Sequence, residues 1–195
     1  MISSFLSNNA SDYRHLAFDD SKSTNELCFE EARRGDPGNL WITAKRQTEG
    51  KGSRGRSWVS KPGNLYASLL LLDPCLLNKL PELTFVASLT AREAIAAQLM
   101  ENSDTSVEVK WPNDVLINGK KSAGILLEST KTTGALQVVI GMGINIQHHP
   151  QQTQHLATNL LQEGVDIKPQ EFFETLADKM AENLTKWDRG DNFSA

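Results

Sequence analysis

Apolar positions along the chain predict three strands that lie inside a sheet. Leu65–Leu72 is an almost continuous apolar run, which is typical of a central strand buried on both faces. Shorter apolar runs at Leu40–Lys45 and Leu136–Ile140 predict two further strands. The last run leads into the Gly-x-Gly of Gly141–Asn145. We expect the strand to end there, because such glycines permit a sharp turn or the close approach of a ligand.

Helical spacing predicts three helices between and after these strands. The capping-box pattern Ser23-x-x-Glu26 starts a helix that ends near Arg34. A second helix covers about Pro81–Met100, with proline at its first position, and a third covers roughly Pro169–Trp187.

The dipeptide Asn118-Gly119 predicts a β-hairpin, because Asn-Gly is the strongest short signal for a two-residue type I′ turn. Apolar runs at Val107–Val109 and Ile125–Leu127 flank it. Strands joined by tight turns, together with the helices, predict an α+β fold: a mixed, largely antiparallel sheet with helices packed against it. We expect one domain over residues 1–195, with residues 1–17 as an N-terminal extension.

The same turn predicts which side chains share a face of the sheet. In this register Lys121 lies opposite Leu116 and diagonal to Asp114. The alternative is an ordinary solvated strand with a surface ion pair, which is the commoner situation for charged strand residues. A bulky ring and a rigid proline, Trp111-Pro112, precede this segment and favour a shaped site instead.

Composition argues against several classes of protein. The chain has 195 residues, 39% hydrophobic and 23% charged, as is ordinary for a globular domain. A net charge of −4 does not favour nucleic-acid binding, and no apolar run is long enough to cross a membrane. Cys28 and Cys75 have no metal-ligand or redox spacing, so we expect packed thiols in a cytoplasmic protein. A polar, glutamine-rich segment contains His148, His149 and His155, and a solvated loop is the better interpretation than a metal site.

A basic, glycine-rich segment stands out in this acidic chain. Lys45–Lys61 contains six lysines or arginines and one glutamate. Gly50–Gly55 matches G-x-G-x-x-G, but Arg56–Pro62 is a poor helix start, so the segment is not a dinucleotide-binding turn. Its glycines let backbone N–H groups approach an anion, and its cations can neutralise phosphate charge. Trp58 offers a flat surface for stacking, and a flexible, solvated loop is the alternative.

Separated motifs coincide in one family. Gly50–Trp58 (GKGSRGRSW), Lys110–Glu128 (with KWPND and KKSAGILLE) and Val138–Asn145 (VVIGMGIN) resemble the catalytic domain of biotin protein ligase. Ser23–Asn25 and Asn64–Ser68 also match, so that five motifs occur in order with fitting spacing. The resemblance implies the fold that biotin and lipoate ligases share with class II aminoacyl-tRNA synthetases.

The resemblance also implies a biotin–[acetyl-CoA-carboxylase] ligase that works in two steps. The biotin carboxylate first attacks the α-phosphorus of ATP, which gives biotinyl-5′-AMP and pyrophosphate. A lysine of a biotin carboxyl carrier protein then attacks this mixed anhydride. Mg²⁺ is expected with ATP, because triphosphate chemistry usually uses it to neutralise charge. The residues that hold the metal are left open.

Roles for individual residues follow from the same resemblance. The implied catalytic residues are Lys121, Arg54 and Asp114, with Lys121 bridging the biotin carboxylate and the α-phosphate. The implied biotin-binding residues are Ser23, Thr24, Gln47, Gly50, Lys51, Tyr66, Ser68, Lys121, Gly124 and Gly141. The implied ATP-binding residues are Ser53, Arg54, Arg56, Trp58, Asn113, Lys121 and Asn145.

The basic loop departs from the usual family pattern, Gly-Arg-Gly-Arg-x-Gly-Arg, at two positions. Lys51 stands at the first arginine and keeps the charge without the planar fork. Ser53 stands at the second arginine, which is associated with retention of the reactive adenylate. Arg54, one position on, is the candidate substitute, and whether adenylate retention is weakened is left open.

The resemblance also sets expectations about the whole protein. No helix-turn-helix is expected before Phe18, so a DNA-binding repressor role is not expected. The small C-terminal β domain that family members usually carry is expected to be absent from this chain. The expected partners are biotin, ATP and the carrier protein, with no DNA and no membrane, in a monomer or homodimer. Two alternatives stay open: a lipoate ligase or lipoyl/octanoyl transferase of the same fold, and a biotin-binding fragment with impaired catalysis.

Overall fold

The computed structural model describes residues 12–99, 105–132, 134–151 and 156–191. These residues form one seven-stranded sheet with the spatial order β1-β2-β3-β7-β6-β5-β4. Strand β1 runs parallel to β2, and the other neighbouring pairs are antiparallel. The strands are β1 Arg14–Ser21, β2 Leu40–Gln47, β3 Leu65–Leu72, β4 Val107–Lys110, β5 Asp114–Ile117, β6 Lys120–Lys131 and β7 Leu136–Ile144.

Three helices in the described residues cover the two faces of this sheet. They are α1 Thr24–Arg33, α2 Leu80–Gln98 and α3 Pro169–Trp187. Helices α2 and α3 pack on each other and on one face, whereas α1 packs on the other face against β2, β3 and β7. Strand β3 is buried on both faces because Leu69 and Leu71 enter the larger cluster and Leu70 enters the α1 cluster. The predicted α+β class with a mixed, largely antiparallel sheet is confirmed.

The strongly patterned elements lie where the sequence predicts them. Strand β3 and helix α3 have the predicted bounds. Helix α2 begins one residue before the predicted start and ends at Gln98, and Met100 lies outside the described residues. Strand β7 does not end at its glycines but continues to Ile144, because both neighbours, β3 and β6, pair with it through that point. The predicted strand end is therefore wrong.

The start of helix α1 is correct in position but not in its predicted hydrogen bonds. Ser23 is the N-cap residue, with extended backbone (φ −156°, ψ 132°), but its side chain makes no capping hydrogen bond. Its carbonyl accepts the backbone N–H of Leu27. The capping box is therefore wrong as a side-chain motif, although it marks the helix boundary.

The apolar pattern of the sequence does not predict strand β1. It is an edge strand whose last residues are largely exposed, so its apolar pattern is weak. Arg14 fixes its start by a bidentate ion pair with Asp36, at 2.9 and 2.6 Å, and by a hydrogen bond to the Gly38 carbonyl. The predicted extension over residues 1–17 overlaps this strand, and residues 1–11 lie outside the described residues.

The predicted turn at Asn118-Gly119 is confirmed, with φ values of 48° and 75° that suit type I′. It joins β5 to β6 and places Leu116 opposite Lys121, as predicted. The run Val107–Val109 is not the partner strand of this hairpin, because it lies in β4 on the far side of β5. The segment is thus a three-stranded meander with a bulge that leaves Ser122 as the extra residue of β6.

Across the described part of the chain, no helix has the length and apolar character that a membrane span requires.

His15 makes the stability of this fold depend on pH. The ring is buried, lies 4.4 Å from the Phe173 ring centroid, and has Nε2 2.8 Å from Thr43 Oγ1. Burial lowers the pKa of His15 to about 4. The unfolded chain therefore takes up a proton near pH 6.5, whereas the folded protein does so only near pH 4, so stability falls across that window.

We therefore expect His15→Gln to flatten the pH dependence. Between roughly pH 7 and pH 5 the wild type should lose about 2 kcal/mol more unfolding free energy than the variant. Urea denaturation at both pH values measures this difference. Equal losses in the two proteins would contradict a neutral, buried His15.

Candidate active site

A cavity of about 390 Å³ opens on the α1 side of the sheet, where the ends of several elements meet. Its walls come from the first turn of α1, the end of β2, the basic loop after β2, the start of β3 and of β5, the first half of β6 and the second half of β7. The lining residues are Thr24, Asn25, Gln47, Lys51, Gly52, Ser53, Arg56, Ser57, Trp58, Val59, Tyr66, Asn113, Asp114, Lys121, Gly124, Ile125, Leu126, Gly141, Met142, Gly143, Asn145, Pro150 and Ala157.

Lys121 and Asp114 form an ion pair at this cavity. Lys121 Nζ lies 2.5 Å from Asp114 Oδ1, and the two side chains are only 23% and 19% exposed. Two hydrogen bonds fix the Lys121 backbone: its N–H donates to the Leu156 carbonyl, and its carbonyl accepts the Thr158 N–H. The shared face is confirmed, and the alternative of a freely solvated ion pair is wrong, since both side chains are mostly shielded from water.

The Trp58 ring covers the middle of the sheet beside this ion pair. Lys121 Nζ lies 5.3 Å from the ring centroid, which is a cation–π distance. A Cβ at Gly143 would lie 2.5 Å from the ring and one at Gly124 would lie 2.8 Å away. Both glycines are therefore needed for close packing of a flat side chain, not for a turn.

The basic loop has an ordered backbone of its own. Trp58 N–H donates to the Gly50 carbonyl at 2.8 Å, and Gly52 N–H donates to the Arg56 carbonyl at 2.7 Å. The Arg56 guanidinium folds back on Ser53, donating to its carbonyl and its hydroxyl at 3.2 and 3.0 Å. These bonds favour a defined loop over the flexible alternative. Arg54 takes a left-handed conformation (φ 59°) and is exposed.

Polar side chains at the α1 end of the cavity are bonded to one another. Gln47 Oε1 accepts the Thr24 N–H at 2.8 Å, and Gln47 Nε2 donates to Ser60 Oγ at 2.9 Å. Tyr66 donates its hydroxyl to the Lys61 carbonyl at 2.8 Å. Burial raises the pKa of Tyr66 to about 12, so the hydroxyl stays protonated and keeps this bond at neutral pH. This end of the cavity is therefore preorganised.

Two buried asparagines, Asn64 and Asn145, form hydrogen bonds that fix the backbone at the end of β7, beside the cavity. Asn64 Oδ1 accepts three backbone N–H groups, those of Ile146, Gln147 and His148, at 2.9 to 3.0 Å. Asn145 Nδ2 donates to the Thr158 carbonyl at 3.0 Å. Asn64 thus fixes the chain as it leaves β7, which fixes the position of Asn145.

Most of the residues with predicted roles meet at this one cavity. Four do not line it: Ser23 is a buried N-cap, Ser68 lies behind Thr24 and Asn25, Gly50 lies against the Trp58 carbonyl, and Arg54 is exposed outside the lining. Lining residues without a predicted role include Asn25 and Gly143. Their spacing could have pointed to them, since Asn25 follows Thr24 directly and Gly143 lies two positions beyond Gly141 on the same face.

The cavity does not contain a ready-made metal cage. In the described ranges, no three His, Cys, Asp or Glu side chains are grouped so that they could hold a metal ion. His148 and His149 lie in a loop after β7, and His155 lies outside the described residues. Asp114 supplies a carboxylate in the cavity wall, and it is already paired with Lys121. This donor set suits Mg²⁺ that keeps several waters and arrives on a phosphate ligand.

Comparison with known proteins decides the family. A model of the biotin/lipoate A/B protein ligase family matches residues 17–145. The chain belongs to this family. The resemblance seen in the sequence motifs is therefore confirmed. The seven-stranded sheet is the fold of this chain as a member of the family.

Relatives in this family include named enzymes. The bifunctional ligase/repressor BirA of Bacillus subtilis is 35% identical over 156 residues, which are 76% of this chain and 47% of that protein. The biotin–[acetyl-CoA-carboxylase] ligase of Paracoccus denitrificans is 36% identical over 151 residues, 74% of this chain and 62% of that protein. The chain thus spans about half the length of the BirA relative.

Solved structures in the family share the fold. Biotin protein ligase from Aquifex aeolicus, in complex with biotin and ATP, is 31% identical with a TM-score of 0.74, over 89% of this chain and 71% of that chain. Biotin protein ligase from Leishmania major, in complex with biotinyl-5-AMP, is 26% identical with a TM-score of 0.76, over 89% and 75%.

Ser122, the extra residue of the bulge beside Lys121, has a buried hydroxyl that stability measurements can test. Its side chain is fully buried, and its hydroxyl has no hydrogen-bond partner in the described residues. Removing such a hydroxyl removes an uncompensated desolvation penalty, so Ser122→Ala should raise the unfolding free energy by about 1 kcal/mol. Chemical denaturation measures this.

Ser88→Ala is the matched control, since Ser88 is equally buried but donates to the Thr84 carbonyl at 2.9 Å. That variant should lose stability. If Ser122→Ala is destabilised to the same extent, the conclusion that the Ser122 hydroxyl is buried without a partner is wrong.

Proposed function

We propose that this protein is a biotin protein ligase. It joins biotin to AMP at the expense of ATP and then transfers the biotinyl group to a lysine of a biotin carboxyl carrier protein. The observation that carries the proposal is the shielded Lys121–Asp114 ion pair in a cavity that also presents Lys51 and Arg56. Relatives named as biotin ligases, and related structures with biotin and ATP or biotinyl-5-AMP, support this substrate class.

In the first step a carboxylate oxygen of biotin bonds to the α-phosphorus of ATP. The bond from that phosphorus to the bridging oxygen breaks, and pyrophosphate leaves with both electrons of that bond. Two anions must approach each other, so a fixed cation between them lowers the barrier. Lys121 is that cation, and Asp114 holds its ammonium group in place until the substrates arrive.

The remaining polar residues divide between the two substrates. Thr24, Gln47 and Tyr66 lie at the α1 end of the cavity and bind the biotin head group, with Gly124 and Gly141 leaving room for it. Lys51 and Arg56 meet the phosphates, and Trp58, Asn113 and Asn145 contact the nucleotide. Ser53 lines the cavity without a charge, whereas Arg54 is exposed outside its lining, so a nucleotide role for Arg54 requires movement of the loop.

Mg²⁺ enters this proposal with ATP. When bound, the ion would supply positive charge against the triphosphate, and the carboxylate of Asp114 and the side-chain oxygens of Asn113 and Asn145, which line the same cavity, would be the protein groups available to hold it. A cytoplasmic location stays a prediction, and the free thiols of Cys28 and Cys75 fit it.

In the second step the amine of the carrier lysine attacks the acyl carbon of the mixed anhydride. An amide bond forms, the bond from the acyl carbon to the AMP oxygen breaks, and the amine loses a proton. AMP leaves as the second product. The cavity must therefore open towards the carrier at the end where Lys121 lies.

A pair of adjacent lysines tests the role of Lys121. Lys121→Ala should lower the rate of biotinyl-5′-AMP formation by at least about 100-fold, because a preorganised charge on the transferring group is lost. Lys120, whose side chain lies 3.7 Å from Glu163, is the matched control, and Lys120→Ala should stay close to the wild type. Mass spectrometry of the adenylate after mixing with biotin and ATP measures the rates.

Equal damage by both substitutions would contradict the role given to Lys121. A wild type that binds biotin but never forms the adenylate would instead identify a binding fragment with impaired catalysis. Preference for lipoate over biotin in a competition would replace the proposed function by that of a lipoate ligase.

A further inference from the structure

A chain of hydrogen bonds leads from Glu128, on β6, to the wall of the cavity. Asn25 Nδ2 donates to Glu128 Oε2 at 2.7 Å. Ser68 Oγ lies 2.6 Å from Asn25 Oδ1 and 2.7 Å from Thr24 Oγ1. Thr24 and Asn25 line the cavity, whereas Glu128 is outside its lining and reaches it through Asn25.

The charge of Glu128 fixes the orientation of the Asn25 amide. An ionised carboxylate can only accept hydrogen bonds, so the Asn25 NH₂ group must face Glu128 and its oxygen must face Ser68. The amide is also closely packed, because it lies against Gly141 so tightly that a Cβ there would overlap it.

This orientation decides which way the neighbouring hydroxyls point. Ser68 has one hydroxyl proton and two oxygens within reach, and the amide oxygen of Asn25 can only accept. The Ser68 proton therefore goes to Asn25. The Thr24 hydroxyl has two acceptors within reach, Ser68 Oγ at 2.7 Å and Gln47 Oε1 at 3.1 Å, and the shorter contact with Ser68 takes its proton. The Thr24 and Gln47 oxygens then face each other without a proton between them, so both remain acceptors for a ligand in the cavity that they line.

A hydrogen bond to Ser60 fixes the orientation of the Gln47 amide. Its NH₂ group donates to Ser60 Oγ at 2.9 Å, and Ser60 donates to the Trp58 carbonyl at 3.0 Å. Its oxygen therefore faces Thr24 and the cavity, where it accepts the Thr24 N–H at 2.8 Å. The wall thus presents oxygen acceptors from two side chains, which suits a ligand that carries N–H donors.

We propose that Glu128 is a positioning residue that sets the direction of these hydrogen bonds and so makes the cavity select a head group with N–H donors. A cyclic urea, as in biotin, has such donors. The proposal rests on the proposed function and adds a residue that does not touch the ligand. Without the charge of Glu128 the Asn25 amide can rotate, Ser68 then donates to Thr24, and the wall loses an acceptor.

Reciprocal substitution of Asn25 and Glu128 tests this. Asn25→Asp places two carboxylates about 3 Å apart, and their repulsion disrupts the pair. Adding Glu128→Gln turns the hydrogen bond round, so that the introduced glutamine donates and the introduced aspartate accepts, both from that glutamine and from Ser68. With Glu128→Gln alone, both side chains are amides, so either one can be the donor and the Asn25 orientation is no longer fixed.

The measurement is the Kd of biotin by isothermal titration at about pH 8.5, where a proton shared between two carboxylates is lost. Asn25→Asp should weaken binding by about 100-fold, and Glu128→Gln alone by roughly fivefold, as expected for charge-assisted hydrogen bonds. The double variant should bind within about threefold of the wild type. As pH falls towards 6, Asn25→Asp should regain affinity while the double variant stays constant.

Glu108→Gln, the same change at an exposed position of strand β4, is the matched control and should leave the Kd unchanged. Thermal unfolding of every variant separates lost binding from lost folding. If the double variant binds as weakly as Asn25→Asp, the positioning role of Glu128 is wrong while the proposed function stands. If the wild type does not bind biotin, both are wrong.

Discussion

The Lys121–Asp114 ion pair is the interaction on which the arrangement of the site depends. A lysine ammonium in a shielded cavity needs a partner, because leaving it unpaired and desolvated costs several kcal/mol. Asp114 is that partner, and the type I′ turn at Asn118-Gly119 brings the two side chains to one face. In the proposed reaction, two anionic substrate groups take the place of the Asp114 carboxylate as neighbours of Lys121 Nζ. A cation prepared in this way needs little reorganisation when the substrates arrive.

Close packing around Trp58 is the second constraint. Its ring lies flat on β6 and β7 only because Gly124 and Gly143 have no side chains. Backbone bonds of the basic loop bring the ring there, and the same loop carries Lys51 and Arg56 to the cavity. Sheet, loop and cations are therefore positioned together, so a change in the loop alters both the apolar wall and the charges of the site.

The sequence predicts the parts of this structure that local chemistry determines. The apolar run of β3, the turn at Asn118-Gly119, and with it the Lys121–Asp114 pair, follow from patterns a few residues long. Strand β1 and the continuation of β7 could not be predicted, because pairing with distant strands decides them. The contact between Asn25 and Glu128 could not be predicted either, because it joins positions 103 residues apart and no local sequence pattern indicates it. Arg54 shows the reverse limit, since its motif position assigns a role although Arg54 does not line the cavity.

Pyrophosphate release tests the central claim most directly. Wild-type protein should release pyrophosphate from ATP and Mg²⁺ only when biotin is present, and lipoate should not replace biotin. In the absence of a carrier protein the release should stop after about one turnover if the adenylate is retained, and should continue if it escapes. Release that is independent of biotin, release supported by lipoate instead, or no release at all would contradict the claim that this cavity activates the carboxylate of biotin.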